Sequence, residues 1–299
     1  MAEKKKALCI LNPATGKPGA LPEVQNLVTR HIGEEHDVAF YFTSARGDAM
    51  RAAQTADPDT ALLVCCGGDG TLSETINGMW RGKKQFPVFL IPRGTTNDVA
   101  KTIRVPASPH ACMALLSGRP VLMDAGCFNS DTCFTYIAAF GAFTEFSYST
   151  SQSAKNKFGH LAYLANFFKG LVRVRSKELT AHVDGKKISG RFLFGSVTNS
   201  LSIAGILKLT GHGVSTRDGL LELLLVERPK NILIMPYVAL KLLLRKYNTK
   251  WIQLHQCREV TFSFARDTAW TVDGEYGGSV NRAEIKVLPE LYSIYGSPQ

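Results

Sequence analysis

An apolar run from Ala61 to Cys66 stops directly at Gly67-Gly68-Asp69-Gly70-Thr71, and a helical spacing of Leu72, Ile76 and Met79 begins directly behind it. A strand that delivers the chain into a glycine turn and then a helix is half of a βαβ unit, and few folds accommodate one. The surrounding sequence repeats the alternation. Ala7 to Leu11 reads as a short buried strand, and Pro22 to His31 as a helix with Val24, Leu27 and Val28 at i, i+3, i+4. Val38 to Phe42 reads as a strand, Gly47 to Ala56 as a helix and Val88 to Ile91 as a further strand. The pattern predicts an α/β domain: a mostly parallel sheet with helices on both faces, its ligand sites at the carboxyl ends of the strands.

From about Leu122 the pattern changes. Phe134 to Ala139, Leu179 to Val183, Arg191 to Val197, Leu220 to Val226, Glu259 to Phe264 and Trp270 to Val272 read as strands. Asp184-Gly185, Arg217-Asp218-Gly219 and Asp273-Gly274 are turn sequences between such runs. This predicts an antiparallel, β-sandwich-like domain with helical insertions at about 155–172 and 230–247. The expected division is 1–122, rejoined by 288–299, and 123–287, with the active site in the cleft between the two.

Composition narrows the chemistry. The 299 residues carry 35 Lys+Arg against 25 Asp+Glu, a net charge of +10 that suits an anionic partner such as a nucleotide, a nucleic acid or a membrane surface. Seven cysteines form an odd set without C-x-x-C, so reduced core thiols are expected rather than disulfides or zinc. The longest apolar run, Ile232 to Leu240, is interrupted by Pro236 and falls short of the roughly 20 residues of a membrane span. A soluble or at most peripheral protein is expected.

Three segments carry the chemistry. In Gly67 to Thr71, glycines let the backbone approach a ligand, and the helix start behind them offers N–H groups and a positive dipole end to phosphate. Thr71 and Glu74 also match a T-x-x-E capping box, a purely structural use of the same residues. Asp69 beside a phosphate site points to an intervening Mg²⁺. The second segment, Pro92-Arg93-Gly94-Thr95-Thr96-Asn97-Asp98, again follows a buried strand; its alternative use is as an N-cap run for the helix behind it. The third is Asp273-Gly274-Glu275, whose Asp-Gly suits a hairpin turn and whose carboxylates suit deprotonation of a hydroxyl.

In this order and spacing, GGDGT, P-x-G-T-x-N-D-x-A (Pro92 through Ala100) and a late D-G-E resemble the diacylglycerol kinase catalytic family. The likeness is nearest to the soluble bacterial lipid kinases, with sphingosine and ceramide kinases as relatives. Asn12-Pro13-Ala14-Thr15-Gly16-Lys17 is similar to the family's opening turn, so the resemblance runs from about residue 8 to 277. It implies a nucleotide domain and a β-sandwich domain. ATP phosphates would be bound by Gly67, Gly68, Asp69, Gly70 and Thr71, with Thr43, Gly94, Thr95 and Asn97 also at the nucleotide. The proton acceptor would be Glu275, or Asp273 beside it. A structural Mg²⁺ would sit at Ser215, Asp218 and Leu220. The chain departs from the family at Ser73, where an amide is common, and at Arg93, where an apolar residue is common; Arg93 would add a cation near the phosphates.

Two stretches without Asp or Glu, 151–177 and 228–258, interleave basic and aromatic residues. Each suits a solvated helical face, and together they suit peripheral docking on an anionic membrane. No nucleic-acid-binding motif accompanies the charge. The sequence therefore reads as a cytoplasmic, membrane-peripheral, Mg²⁺-requiring ATP:lipid phosphotransferase of phospholipid biosynthesis, acting on diacylglycerol or a related lipid alcohol. An NAD kinase-like enzyme and a non-catalytic lipid-binding protein are the alternatives, and the oligomeric state, a homodimer included, is left open.

Overall fold

The computed structural model describes residues 3–16, 19–142, 174–203, 207–209 and 213–297. The chain forms two compact units. One comprises Met1–Ala125, Thr216–Asp218 and Leu288–Gln299, the other Gly126–Ser215 and Gly219–Val287.

The first unit holds β1 (Lys5–Leu11), α1 (Leu21–Ile32), β2 (His36–Phe42), α2 (Asp48–Gln54), β3 (Thr60–Gly67), α3 (Asp69–Arg81) and β4 (Pro87–Pro92), followed by α4 (Asp98–Thr102) and α5 (Pro109–Cys112). Its strands lie in the order β2-β1-β3-β4 and all pairs are parallel. The central strands are buried on both faces, which is why Leu62 to Cys66 and Val88 to Ile91 are continuous apolar runs rather than alternating ones. Leu72 and Ile76 of α3 are fully enclosed with them. Register sets the site: Leu11 pairs with Phe42 and with Cys66, and Cys66 with Ile91. The four strands thus end at one level, and the loops that follow them emerge side by side.

The second unit is antiparallel. It contains β6 (Thr132–Phe134), β7 (Ile137–Gly141), β8 (Lys177–Val183), β9 (Lys186–Thr198), β12 (Leu221–Glu227), β13 (Ile252–Cys257) and β14 (Glu259–Val272), and it draws on β5 (Val121–Phe128) and β15 (Glu275–Ile294). The long strands β9 and β14 each pair with β8 along one half and with β7 along the other. The core is aromatic: the Phe140 ring meets those of Phe264 and Trp270 edge-on at 5.0 Å each. Such geometry adds about 0.5–1.5 kcal/mol per pair beyond burial. Short β10 (Ser202–Ile203) and β11 (Leu207–Lys208) form a separate hairpin, and α6 (Met235–Leu243) follows a 3₁₀ turn at Ile232–Ile234.

Several expectations need correction. Phe134 to Ala139 is not one strand; it breaks at Thr135-Tyr136 between β6 and β7. Glu259 to Phe264 and Trp270 to Val272 are one strand, β14, whose pairing with β15 slips between Ser263 and Thr268 and so absorbs the exposed Arg266-Asp267. The 20-residue β15 has no clean alternation to announce it. The helical insertion expected at 155–172 and most of the basic stretch 151–177 lie outside the described residues. All seven cysteines are buried and none is in a disulfide; burial is the largest cause that pushes the Cys65 and Cys66 thiols up to about 12.

Candidate active site

Loops 12–16, 43–47, 67–71 and 93–97 share the carboxyl edge of the parallel sheet. The Gly67 to Thr71 and Arg93 to Asn97 loops touch through their backbones. The Arg93 N–H donates to the Gly67 carbonyl at 2.7 Å. A Cβ on Gly94 would fall 2.6 Å from the Gly68 Cα, and one on Gly68 would fall 3.0 Å from the Gly94 Cα. Glycine is required in each loop by the other. A Cβ on exposed Gly70, by contrast, would meet nothing within 4 Å.

Side chains then fasten the edge. Asn97, in the left-handed region at φ 49°, accepts the Gly94 N–H at Oδ1 and returns a hydrogen bond to the Gly94 carbonyl. Asn12 Nδ2 donates to Thr71 Oγ1 at 2.9 Å, tying the first loop to the third. The Arg93 guanidinium donates to the Thr15 carbonyl at 2.8 and 3.2 Å and covers Gly16, so this cation braces the loop after β1.

The expected capping box is absent. α3 begins at Asp69, earlier than the box requires, and Glu74 Oε1 instead accepts the Gly47 N–H at the start of α2. Gly68, at the N-cap of α3, has no side chain with which to accept the first N–H groups. Asp69 serves the next helix. Its two oxygens accept the Asp98 and Val99 N–H groups of α4 at 3.1 and 3.2 Å. Burial nevertheless outweighs these bonds and holds the Asp69 carboxyl above its usual range. Thr43 is half-buried, its N–H on the Leu11 carbonyl, while Thr95 is exposed.

In the second unit, Asp273-Gly274 is a two-residue hairpin between Val272 and Glu275, which pair with each other. Both turn residues have positive φ, 48° and 87°, as the twist of a type I′ hairpin demands. The buried Asp273 carboxylate accepts four hydrogen bonds. Oδ2 takes the Thr135 N–H and hydroxyl at 2.9 and 3.2 Å; Oδ1 takes the Tyr136 and Ile137 N–H groups at 3.0 and 2.9 Å. These are the backbone groups released where β6 breaks from β7. Glu275, two residues on, is exposed. Ser215, Asp218 and Leu220 stand in the loop before β12, with Asp218 exposed. Among the described residues no three His, Cys, Asp or Glu side chains gather as a metal cluster.

Comparison with known proteins bears on this geometry. The diacylglycerol kinase catalytic domain matches residues 6–128, which contain the whole parallel edge. The chain is 27% identical over 293 residues to the diacylglycerol kinase of Bacillus subtilis, covering 97% of this chain and 96% of that one. It is 28% identical over 296 residues to that of Staphylococcus saprophyticus, with the same coverage. Over residues 6–128 the chain matches the diacylglycerol kinase catalytic domain, and over nearly its whole length it is similar to curated diacylglycerol kinases. Its fold agrees with a solved diacylglycerol kinase structure from Bacillus anthracis at a TM-score of 0.77, with 20% identity and coverage of 100% and 99%.

Within the first unit, Gly67, Gly68, Asp69, Gly70, Thr71, Gly94, Thr95 and Asn97 fall on adjoining loops, with Thr43 on the loop after the edge strand β2. Asn12, Thr135 and the bracing use of Arg93 were not singled out from the sequence as working parts. Asn12 was open to notice as the first residue of an N-P turn after a strand. Thr135 was not, because its partner lies 138 residues away.

Proposed function

We propose that this chain transfers the γ-phosphoryl group of ATP to the hydroxyl of diacylglycerol or a related lipid alcohol. The likeness to diacylglycerol kinases supports a lipid kinase; the donor, the cation and the particular lipid are our inference. The observation that carries it is the unequal treatment of the two helix starts on the sheet edge. The first N–H groups of α4 are taken by Asp69, whereas α3 starts from Gly68, which has no side chain to offer, and presents Gly70 with open space before it. A helix start left in that condition beside a glycine loop suits phosphate oxygens.

In this reading Gly67 to Thr71 hold the phosphates, Asn12 orients the Thr71 hydroxyl, and Thr43, Gly94, Thr95 and Asn97 border the nucleotide. Mg²⁺, when bound, neutralises charge on the phosphates. Asp69 retains lone pairs beyond its two N–H bonds and would hold that cation together with phosphate oxygens and water. Ser215, Asp218 and Leu220 offer hydroxyl, carboxylate and carbonyl oxygens, a hard donor set that suits a second Mg²⁺. Glu275 is the better proton acceptor. The Asp273 carboxylate is engaged by four hydrogen bonds and sets the turn from which Glu275 projects. Work at the surface of an anionic membrane, from the cytoplasmic side, follows from the substrate and from the acid-free stretch 228–258. No helix among the described residues is long and apolar enough to cross a membrane.

The test is phosphoryl transfer from γ-labelled ATP with Mg²⁺ to diacylglycerol, a sphingoid base, ceramide and NAD⁺ in parallel. Label is expected in the diacylglycerol product and lost with EDTA. Transfer to NAD⁺ alone, or to no acceptor, overturns the reading.

A further inference from the structure

The segment Ile232 to Leu244 has two apolar faces. Met235, Val238 and Leu242 are buried in the second unit, which is the use an amphipathic helix normally has for its one apolar stripe. Leu233, Tyr237, Leu240 and Leu244 recur at steps of four, three and four and form a second stripe, exposed by 80, 47, 49 and 55%. Single exposed leucines need no explanation, but a contiguous row of them marks a surface that something covers.

The surroundings say what covers it. From Arg228 to Arg258 there is no Asp or Glu, while Arg245, Lys246 and Lys250 are exposed around the stripe. The Lys241 ammonium lies over the Tyr237 ring at 4.9 Å, and that of Lys250 over the Trp251 ring at 5.6 Å. Tyr237 and Trp251 themselves meet edge-on at 6.0 Å. Amphipathic rings beside ammonium groups at the border of an apolar stripe are suited to the headgroup level of a bilayer. A second copy of the chain fits poorly, because a two-fold contact here would set these cations against their own counterparts.

We propose that α6 and the turn before it seat the protein on an anionic bilayer. The Leu233, Tyr237, Leu240 and Leu244 stripe lies in the acyl boundary, and Lys241, Arg245, Lys246 and Lys250 meet the lipid phosphates. The proposal rests on the lipid-kinase reading and adds the element that performs the docking. At nine residues, about 13 Å, α6 lies in the interface and does not cross it.

The experiment uses the full chain with vesicles of phosphatidylcholine alone or mixed equally with phosphatidylglycerol. The wild type is expected to co-sediment with the anionic vesicles and to show Trp251 fluorescence quenched by brominated acyl chains, a signal lost in Trp251→Phe. The triple variant L233S/L240S/L244S alters only exposed side chains. It should keep its melting temperature and its rate on detergent-dispersed short-chain diacylglycerol, while vesicle binding falls by about tenfold or more. Vesicle binding by the variant equal to wild type, with no quenching of Trp251, overturns the proposal. So does a wild-type dimer that the triple substitution converts to monomer, since the stripe would then cover a second copy. The two readings fail separately: stripe-dependent docking without phosphorylation of any lipid alcohol sinks the kinase reading alone, and phosphorylation with stripe-independent docking sinks this one alone.

Discussion

Asp69 and Asp273 stand in turns of similar appearance, each an aspartate beside glycine at the end of a strand, yet glycine and aspartate do different work in the two. In the parallel unit, Gly68 and Gly94 are needed because two loops meet backbone to backbone. In the antiparallel unit, Gly274 is needed because a two-residue hairpin must turn with positive φ. Asp69 gives its oxygens to the start of a neighbouring helix, Asp273 to the three N–H groups and one hydroxyl at a strand break. Both aspartates are therefore structural anchors first. In our proposal the chemistry falls to what they position: the start of α3 in one unit and Glu275 in the other.

The largest expected effect tests that division at the hairpin. Glu275→Gln should lower kcat by about 10²–10⁴-fold, the usual worth of general-base assistance, with ATP affinity and melting temperature nearly unchanged. Wild-type turnover would remove Glu275 from the mechanism. Asp273→Ala should instead act on the fold. It strands three N–H groups in a buried site, each costing about 1–3 kcal/mol, so urea unfolding should show a loss of about 3 kcal/mol or more. A fully stable Asp273→Ala enzyme with lost turnover would make Asp273 the base and reverse the comparison.

The parallel edge is sharpened by two glycines. Gly94→Ala should cost about 1–3 kcal/mol, because its new methyl meets the Gly68 backbone, which cannot rotate away, as well as Asn97 Oδ1. Gly70→Ala should leave stability within about 0.5 kcal/mol of wild type while weakening ATP binding in calorimetry, since its open space is where we place phosphate. Equal ATP affinity for wild type and Gly70→Ala would move the phosphates elsewhere.

The smallest effect is a difference in pH dependence between two anchors of one unit. Asp48 accepts the Ser44 N–H and hydroxyl and the Ala45 N–H, which hold its carboxyl below the usual 3.8. Its contribution is present above 3.8 and lost as pH falls through the lower folded value. Asp69 is raised by burial, so its contribution is complete below 3.8 and lost as pH rises through the higher folded value. In urea titrations from about pH 2.5 to 7, the deficit of Asp48→Asn relative to wild type should grow with pH and that of Asp69→Asn should shrink. Parallel trends would mean that burial does not govern Asp69.

Much of the parallel unit was legible because its signals are local. A strand buried on both faces is a run of apolar residues, as Ala61 to Cys66 shows, and the glycine turn after it marks the strand's end. The antiparallel unit was less legible. Its strands are recognised by partners far away, so β15, with Gly277, Gly278 and Pro289 interrupting any alternation, carries no sign of the neighbour that makes it a strand.

The sequence by itself determined the βαβ order, the glycine loops at strand ends, the Asp-Gly hairpin and the acid-free segment around α6, because each depends on residues within a few positions of one another. Only the tertiary structure decided what those residues are used for. Thr71 and Glu74 match a capping box, yet one accepts from Asn12 and the other from Gly47. Ile232 to Leu240 reads as an apolar run, and only packing divided it into a buried and an exposed face. A carboxylate accepts from whichever donors the fold leaves unpaired beside it, and those donors are set by long-range pairing that no local pattern encodes.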